Sequence, residues 1–441
     1  MKSELANYKV FPKIILSKKP TEVTIKPLGP HAAFCEKWFF IQMIPMRAGK
    51  EPRHDYDVLK VNVNNDGCLV FTYTFSDEQE YKIRVFKSNI IENHDAATTD
   101  TSSAIKPKNV LITFNVYVLY KDLYFRRPYR GDFHVHSSSS GGEAPEITAA
   151  NFRKKGFDFY ALTDHYKFWP SAQCRDYYKN TPADFLVITG EEIHSPDNFV
   201  HIIGVGGKTS VNEIYQKDSG AYDREVREIL KQLEIPEGVD GYAYAACIWV
   251  FRKINETGGM SIFAHPHWMA DAYHVPDALT NMLFKSRAFD AFELLGGHEL
   301  HSNNLQIAYY NDERANGNTV PIVGSSDAHS TLDGAEWFTY YSTIVFANEL
   351  DSENIIAAVK DMYAVAVESW PNEQSRVYGA YRMVSYARFL LEEYFPVHDE
   401  LCFEEGLLMK QMFLGDGEAE EILKLFKGRT KRLSDSYWTS K

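Results

Sequence analysis

The first part of the chain alternates apolar and polar residues in short runs, which is the pattern of half-buried β-strands. The runs are separated by turn residues such as Asn65-Asp-Gly67 and occupy residues 38–44, 68–75, 81–86 and 110–120. Roughly a hundred residues of short antiparallel strands predict a small β-sandwich. We therefore predict a β-sandwich accessory domain over residues 1–125, where no polar cluster has catalytic spacing.

A different rhythm begins at residue 131, where apolar runs alternate with helical segments. The first predicted helix, residues 145–155, has Pro145 in its first turn and is followed by Gly156. The predicted strands lie at residues 133–136, 157–163, 185–189, 200–205, 261–264, 291–295, 320–323 and 342–346. Such βα repetition predicts a parallel sheet or barrel over residues 131–367.

The last part of the chain has a helical pattern. Tyr381, Val384, Ala387 and Leu391 recur at intervals of three or four residues, which gives one apolar face on a helix. We predict a helical C-terminal extension over residues 371–441. Its apolar face would pack on the body of the protein or on a partner subunit, so the helices or the sandwich could support a homo-oligomer.

Composition and charge restrict the function further. Hydrophobic residues at 44% and charged residues at 24% are ordinary values for a globular protein. The formal net charge of -13 argues against a general electrostatic attraction to nucleic acid or to an anionic membrane. Small anionic substrates remain open, because bound dications would reverse the local sign of the charge.

Cellular location is suggested by the cysteines and by the N-terminal residues. The 5 cysteines are widely spaced and include no C-x-x-C pair, so they indicate neither a disulfide framework nor a thiolate zinc site. The N-terminal residues lack the apolar segment of a signal peptide, and no run reaches transmembrane length. We predict a cytoplasmic protein without a membrane partner.

Histidines and carboxylates recur at the ends of the predicted strands. His134 and His136 end one strand, and Asp327 and His329 follow another. Side chains two residues apart in a strand point to the same side, so each pair can reach one centre. His165, Glu192, His201 and His265 also lie in or after apolar runs, although His201 could instead be a buried core histidine.

In their order, these motifs resemble those of the PHP (polymerase and histidinol phosphatase) superfamily. The resemblance covers about residues 131–367 and is carried by His134-Val-His136, Thr163-Asp-His165, Gly190-Glu-Glu192 with His201, Ala264-His-Pro266 and Ser326-Asp-Ala-His329. It implies a distorted (β/α)7 TIM-like barrel with two or three divalent ions, usually Zn, Mn or Fe, at the C-terminal mouth. It also implies the hydrolysis of phosphate esters.

The resemblance also implies an arrangement of metal ligands. His134, His136, Glu192 and Asp327 would surround one ion. Glu192 would bridge to a second ion, which His201 and His265 would hold. His165 and His329 would serve the remaining metal site or the phosphate of the substrate.

Two further acids would orient ligands, and a third is ambiguous. Glu293 matches a family acid that lies outside the ligand set, and Asp164 would hold a neighbouring histidine or cap the following segment. After the first motif, relatives commonly have an aspartate or histidine ligand, whereas this chain reads Ser137-Ser-Ser-Ser-Gly-Gly-Glu143. Glu143 either replaces that ligand or lies near the N-terminus of the following helix. The number of ions therefore stays open between two and three.

Other side chains are candidates for proton transfer and phosphate binding. Asp327, His267 and His194, in that order, could protonate the leaving alkoxide. Arg175 and Lys167 lie near ligand-bearing strand ends and could bind the substrate phosphate, although both could also be solvated surface charges.

The sequence therefore favours a metal-dependent phosphoesterase that acts through an activated water on a small phosphomonoester or a nucleotide-like phosphate. One alternative is a phosphodiesterase that acts on oligonucleotide ends, which the negative charge of the chain disfavours. The other is a non-catalytic barrel stabilised by metal, with a sandwich that binds a carbohydrate or a protein.

Overall fold

A computed structural model describes residues 7–47, 56–87, 110–269, 271–296, 300–332 and 336–438. These residues form two compact units. The first comprises the described residues of Met1–Arg126, Arg388–His398 and Arg429–Lys441. The second comprises those of Arg127–Ala387 and Asp399–Gly428.

The first unit contains two β-sheets that share one apolar core. Its strands are β1 (Tyr8–Phe11), β2 (Ile14–Leu16), β3 (Pro20–Pro27), β4 (Trp38–Pro45), β5 (Val58–Asn62), β6 (Leu69–Thr74), β7 (Gln79–Lys87) and β8 (Val110–Leu119). One sheet has the order β1-β3-β6 and the other β2-β8-β7-β4-β5. Ile25 of the first sheet and Ile41 and Val116 of the second are fully buried in the same cluster.

Two helical pieces complete the first unit, together with the short helix α1 (Lys121–Tyr124). Within residues 388–398, the Glu393 carboxylate lies 2.5 Å from Lys13 Nζ, and both side chains are buried. The Phe389 ring lies 5.4 Å from the Tyr117 ring between centroids. These contacts connect the C-terminal helices of this unit to its β-strands.

The second unit is built on one large mixed sheet. Its strands are β9 (Arg127–Val135), β10 (Phe159–Leu162), β11 (Leu186–Ile193), β12 (Ile202–Val205), β13 (Met260–Phe263), β14 (Ala291–Leu295), β15 (Ile322–Gly324), β16 (Tyr341–Ala347), β17 (Ala364–Glu368) and β18 (Arg376–Tyr378). Their order is β15-β14-β13-β12-β11-β10-β9-β16-β17-β18.

The direction of the strands differs from the prediction. β9, β10 and β11 are parallel neighbours, as are β13, β14 and β15. β12 is antiparallel to both β11 and β13, and β16 to β18 are added antiparallel beyond β9. The predicted (β/α)7 barrel is therefore not confirmed, because antiparallel pairs interrupt the parallel ones.

The sheet nevertheless curls upon itself. Thr343 Oγ1 of β16 lies 3.0 Å from the Gly324 N and 2.9 Å from the Gly324 O of β15, although these strands are far apart in the sheet order. A Cβ atom at Gly324 would lie 2.7 Å from the Ser342 carbonyl oxygen, so only glycine allows this approach. Phe133, Ile188 and Val323 belong to one buried cluster.

Helices pack on the outer face of the curled sheet. Asp240 caps one of them by accepting hydrogen bonds from the backbone N–H groups of Tyr242 and Ala243, and Trp249 of that helix is buried in the core with Phe263. The helices of this region are α2 (Pro145–Lys154), α3 (Trp169–Tyr178), α4 (Asn212–Lys217), α5 (Ser219–Leu230), α6 (Gly241–Glu256), α7 (Asp277–Ser286), α8 (Leu300–Ala315) and α9 (Ser352–Lys360).

The C-terminal part is helical but does not form one separate body. It contains α10 (Tyr381–Glu393), α11 (Phe395–Phe413), α12 (Gly417–Phe426) and α13 (Arg429–Trp438), and it is divided between the two units. In the second unit, Glu405 pairs with the buried guanidinium of Arg153 at 2.5 Å. Among the described residues, none of the helices has the length and apolar character needed to cross a lipid bilayer.

Candidate metal centre

The predicted ligands lie at one edge of the curled sheet. His134 is in β9, with His136 directly after that strand, and Glu192 is in β11. His265 follows β13. Parallel strands place their carboxyl ends at the same edge, which is why these motifs meet. His201 reaches the same edge from the other direction, because it precedes β12, which runs antiparallel to its neighbours.

The carboxylate of Glu192 is at the centre of the cluster. It is 1% exposed, and its Oε1 lies 2.8 Å from His201 Nδ1 and 3.8 Å from His265 Nε2. Its Oε2 faces a different set of rings, with His165 Nδ1 at 2.5 Å and His136 Nε2 at 3.5 Å. Each oxygen thus faces its own group of imidazoles.

A second acid joins the first histidine pair. Asp327 Oδ1 lies 2.9 Å from His136 Nε2 and 3.2 Å from His134 Nε2, and the two Nε2 atoms are 3.2 Å apart. His134, His136 and Glu192 offer ligand atoms that all lie within 4.8 Å of one another. These three residues and Asp327 are the set that the sequence assigned to the first ion.

A third group of rings lies beside Glu192. His165 Nε2 is 3.2 Å from His329 Nε2, and His165 Nδ1 is 3.1 Å from His194 Nε2. His136, His165 and His329 also form a group with ligand atoms within 4.8 Å. All eight ligand candidates other than Glu143 therefore converge, and His194 joins them.

The donor atoms fit divalent cations. Both ring nitrogens of His265 are buried without a hydrogen-bond partner, and such atoms are rare in native proteins unless an ion or water satisfies them. Imidazole nitrogens and carboxylate oxygens suit Zn, Mn and Fe alike. The geometry therefore supports metal binding without selecting the metal or the number of ions.

The pKa values of the clustered residues are shifted in different directions. Burial alone would raise the pKa of Glu192, but the histidines around its carboxylate hold that pKa well below its usual range. Burial alone would lower the pKa of His134, but the charges of Asp327 and Glu293 raise it well above its usual value. Burial lowers the pKa of His136 to about 4 and that of His201 to about 3.

Glu293 orients two of the candidate ligands. The side chain is buried, and its Oε1 lies 3.0 Å from His134 Nδ1. Its Oε2 accepts a hydrogen bond of 3.1 Å from the backbone N–H of His265. With Nδ1–H donated to Glu293, the Nε2 lone pair of His134 points into the cluster, as metal-bound histidines require.

Asp164 and Glu143 hold loops rather than imidazoles. Asp164 accepts hydrogen bonds from the Ser137 N–H at 2.8 Å and the Ser137 hydroxyl at 2.5 Å, so it fixes the segment after His136. Glu143 accepts hydrogen bonds from the Ser330 hydroxyl at 2.5 Å and the Thr331 N–H at 3.0 Å. Its carboxylate therefore supports the loop after His329, and it does not cap helix α2.

The candidate phosphate-binding residues have other partners. Arg175 Nη2 lies 2.7 Å from the carboxylate of the adjacent Asp176, and both side chains are largely exposed. Lys167 Nζ donates a hydrogen bond of 3.0 Å to the Ser139 carbonyl oxygen. Both contacts are compatible with solvated surface charges, and the assignment of these residues to the substrate phosphate stays a prediction.

His267 is buried, and its ring lies 5.6 Å from the Tyr273 ring and 6.1 Å from the Tyr309 ring between centroids. Burial lowers its pKa. Its role in proton transfer stays a prediction.

Two residues of the site were not identified from the sequence. Asp132 accepts hydrogen bonds from the backbone N–H groups of His134, at 3.0 Å, and Ser326, at 3.1 Å. A carboxylate two residues before His134, and therefore on the same side of the strand, was a signal that could have revealed it. The His274 ring lies 4.2 Å from the His201 ring, and its Nε2 is buried without a hydrogen-bond partner. His274 lies outside helices and strands, so no periodic pattern marks it.

Comparisons with known proteins give weak similarities. No family model and no curated protein matches the chain. It is similar to a two-domain protein from Bacteroides vulgatus with a predicted PHP-like metal-dependent phosphoesterase, at 20% identity and a TM-score of 0.39, over 55% of this chain and 65% of that one. The chain thus spans less than two thirds of the length of that protein.

Two further solved structures are similar over 45% of this chain and 87% of their own. One is a candidate metal-dependent phosphoesterase from Bifidobacterium adolescentis, with 14% identity and a TM-score of 0.33. The other is an amidohydrolase from Chromobacterium violaceum with bound sulfate, with 18% identity and a TM-score of 0.30. The first of the three is described as PHP-like and the first two as metal-dependent phosphoesterases, but TM-scores this low carry no weight in assigning a function.

Proposed function

We propose that this protein is a metal-dependent hydrolase that cleaves phosphate esters. The observation that carries the proposal is the convergence of six histidines on the Glu192 carboxylate at one edge of the sheet, namely His134, His136, His165, His194, His201 and His265. The first two of them also lie beside Asp327. A structural role alone gives no reason to bury so many imidazoles with two acids, because unpaired buried polar groups are destabilising.

The residues divide into three groups of potential ligands. His134, His136 and Asp327 would hold one ion, His201 and His265 a second, and Glu192 would bridge them. His165 and His329 would hold a third ion or bind the phosphate of the substrate. Divalent ions bound here would supply Lewis acidity, which activates water and neutralises phosphoryl charge.

The side chains around the ligands would keep them in the correct form. Glu293 would fix the His134 ring and the backbone at His265, and Asp132 would fix the backbone between β9 and Asp327. Metal-bound imidazoles need such partners for their tautomer and orientation. No nucleophilic side chain would be required, because the attacking group would be water.

We favour His194 over Asp327 as the group that protonates the leaving oxygen. Asp327 Oδ1 is held between His134 and His136, so this oxygen is committed to the cluster. The two side chains are about equally exposed, 15% for His194 and 13% for Asp327. The preference therefore rests on the contacts of Asp327 Oδ1 with two histidines, whereas His194 Nε2 has its nearest partner in His165 Nδ1 at 3.1 Å. A proton donor has to reach the departing group with an atom that is not already held.

Elemental analysis and a panel of esters test the proposal. Protein purified without chelators should contain at least one equivalent of Zn, Mn or Fe and should hydrolyse phenyl phosphate. A Glu192→Gln variant should lose both the metal and the activity. Hydrolysis of a diester but of no monoester would move the assignment to a phosphodiesterase. Absence of activity after reloading with each metal would refute the proposal.

A further inference from the structure

An aromatic side chain stands beside the candidate metal centre in an unusual backbone conformation. Tyr166 directly follows His165 and has a φ angle of 60°, in the left-handed region that bulky residues rarely adopt. Its ring centroid lies 4.6 Å from that of His194, yet 49% of the residue is exposed. One part of the ring therefore packs against the cluster while another part is available to a ligand.

The strained backbone of Tyr166 is held by neighbouring elements. Its N–H donates a hydrogen bond of 3.1 Å to the Glu192 carbonyl oxygen. Its own carbonyl oxygen accepts a hydrogen bond of 3.2 Å from Gln216 Nε2. Strain that the surrounding structure maintains in this way is concentrated at functional sites in proteins. The backbone that carries the ring is thus held by Glu192, the same residue that lies at the centre of the candidate metal cluster.

Other rings continue this aromatic character around the site. The Trp268 ring lies 6.1 Å from the rings of both His201 and His265. Tyr166 next to His194 and Trp268 next to His201 are thus two aromatic side chains that stand beside candidate ligands.

We propose that a planar aromatic group of the substrate stacks on the Tyr166 ring while its phosphate binds at the metal centre. This inference rests on the proposed function and specifies its substrate class as an aryl or nucleobase-bearing phosphate. The quadrupoles of two aromatic rings favour offset or tilted contacts at centroid distances of about 4.5–7 Å. The half-exposed Tyr166 ring, which lies beside the candidate metal centre, leaves room for an aromatic group of the substrate within this distance range.

Binding of phosphonates tests the inference without requiring turnover. Phenylphosphonate and methylphosphonate carry the same anionic group, and only the first carries an aromatic ring. Calorimetry on the metal-loaded protein should show that Tyr166→Ala weakens the binding of phenylphosphonate about five- to tenfold, near the low end of stacking effects. The same variant should bind methylphosphonate as the wild type does. Tyr166→Phe, which keeps the ring, should retain the affinity for phenylphosphonate.

Tyr177→Ala is the matched control. The Tyr177 ring packs on Tyr178 and Phe413, and this substitution should leave the affinity for both phosphonates unchanged. Elemental analysis of each variant verifies that metal content is preserved. Nucleoside monophosphates and phenyl phosphate, compared as substrates, distinguish a nucleobase from a simple aryl group.

An equal weakening of both phosphonates by Tyr166→Ala would overturn the inference, and so would no weakening at all. If the wild type binds phenylphosphonate through Tyr166 but hydrolyses no ester, the proposed function fails and the aromatic subsite stands. If esters are hydrolysed with no dependence on Tyr166, the reverse holds.

Discussion

Replacement of Glu293 by glutamine should weaken metal binding although Glu293 would not contact the ion. The carboxylate accepts a hydrogen bond through each oxygen, from His134 Nδ1 and from the backbone N–H of His265. Glutamine has one accepting oxygen, so its NH₂ group would face one of these donors. The side chain is buried, and water cannot relieve this donor–donor contact.

The magnitude follows from the role of such partners. Loss of a residue that orients a metal-bound histidine typically reduces metal affinity about 10- to 100-fold. This corresponds to about 1.4 to 2.7 kcal/mol. We expect the upper half of this range for Glu293→Gln, because two ligand-bearing segments depend on the same carboxylate and its charge is lost.

Competition with a chromophoric chelator measures this affinity directly. Glu146→Gln is the control, because Glu146 is also buried but accepts a hydrogen bond from Gln173 Nε2 rather than from a ligand segment. It should change metal affinity less than twofold. A Glu293→Gln variant that binds metal within twofold of the wild type would refute the assigned role of Glu293.

Three further predictions concern the same site. Metal removal by a chelator should lower the Tm by about 3 to 5 °C, because a ligand at a hundredfold excess over its Kd contributes about 2.7 kcal/mol and a chain of this size has a large entropy of unfolding. An unchanged Tm would contradict bound structural metal. Metal affinity should rise with pH, and metal binding should release protons. The reason is that nearby acids raise the pKa values of His134 and His265 and keep these imidazoles protonated in the metal-free protein. Calorimetry in buffers of different ionisation enthalpy detects the proton release, and equal heats of binding would refute it. Asp132→Asn should reduce activity more than tenfold while the circular dichroism spectrum stays unchanged, because Asp132 accepts hydrogen bonds from the N–H groups of His134 and Ser326. Full activity would show that these hydrogen bonds are not needed to position His134 and Asp327.

The placement of the candidate ligands at strand ends could be predicted from the sequence because it depends on local patterns. His134 and His136 are two residues apart at the end of β9, and this spacing alone places both on one side of the strand. The parallel neighbours β9, β10 and β11 follow from strand and helix alternation. From these two features alone, Glu192 is expected to lie close to His134 and His136.

The antiparallel strands were missed because hydrophobic periodicity does not encode strand direction. β11 ends at Ile193 and β12 begins at Ile202, and this connection is too short for a helical crossover between parallel strands. That length was the available signal. The partners of Arg175 and Glu143 could not be predicted, because they depend on loop conformations that bring Asp176 and Thr331 within reach. Cytoplasmic location and homo-oligomer formation remain predictions of the sequence.

Glu192 makes two kinds of contact, one through its side chain and one through its backbone, and these connect the candidate ligands with Tyr166. Its side chain gathers the imidazoles, while its carbonyl oxygen accepts the N–H of Tyr166. A substitution that changes the backbone at Glu192 would therefore disturb both the ligand cluster and the turn at Tyr166. The two parts of the proposed substrate site would be lost together rather than one at a time.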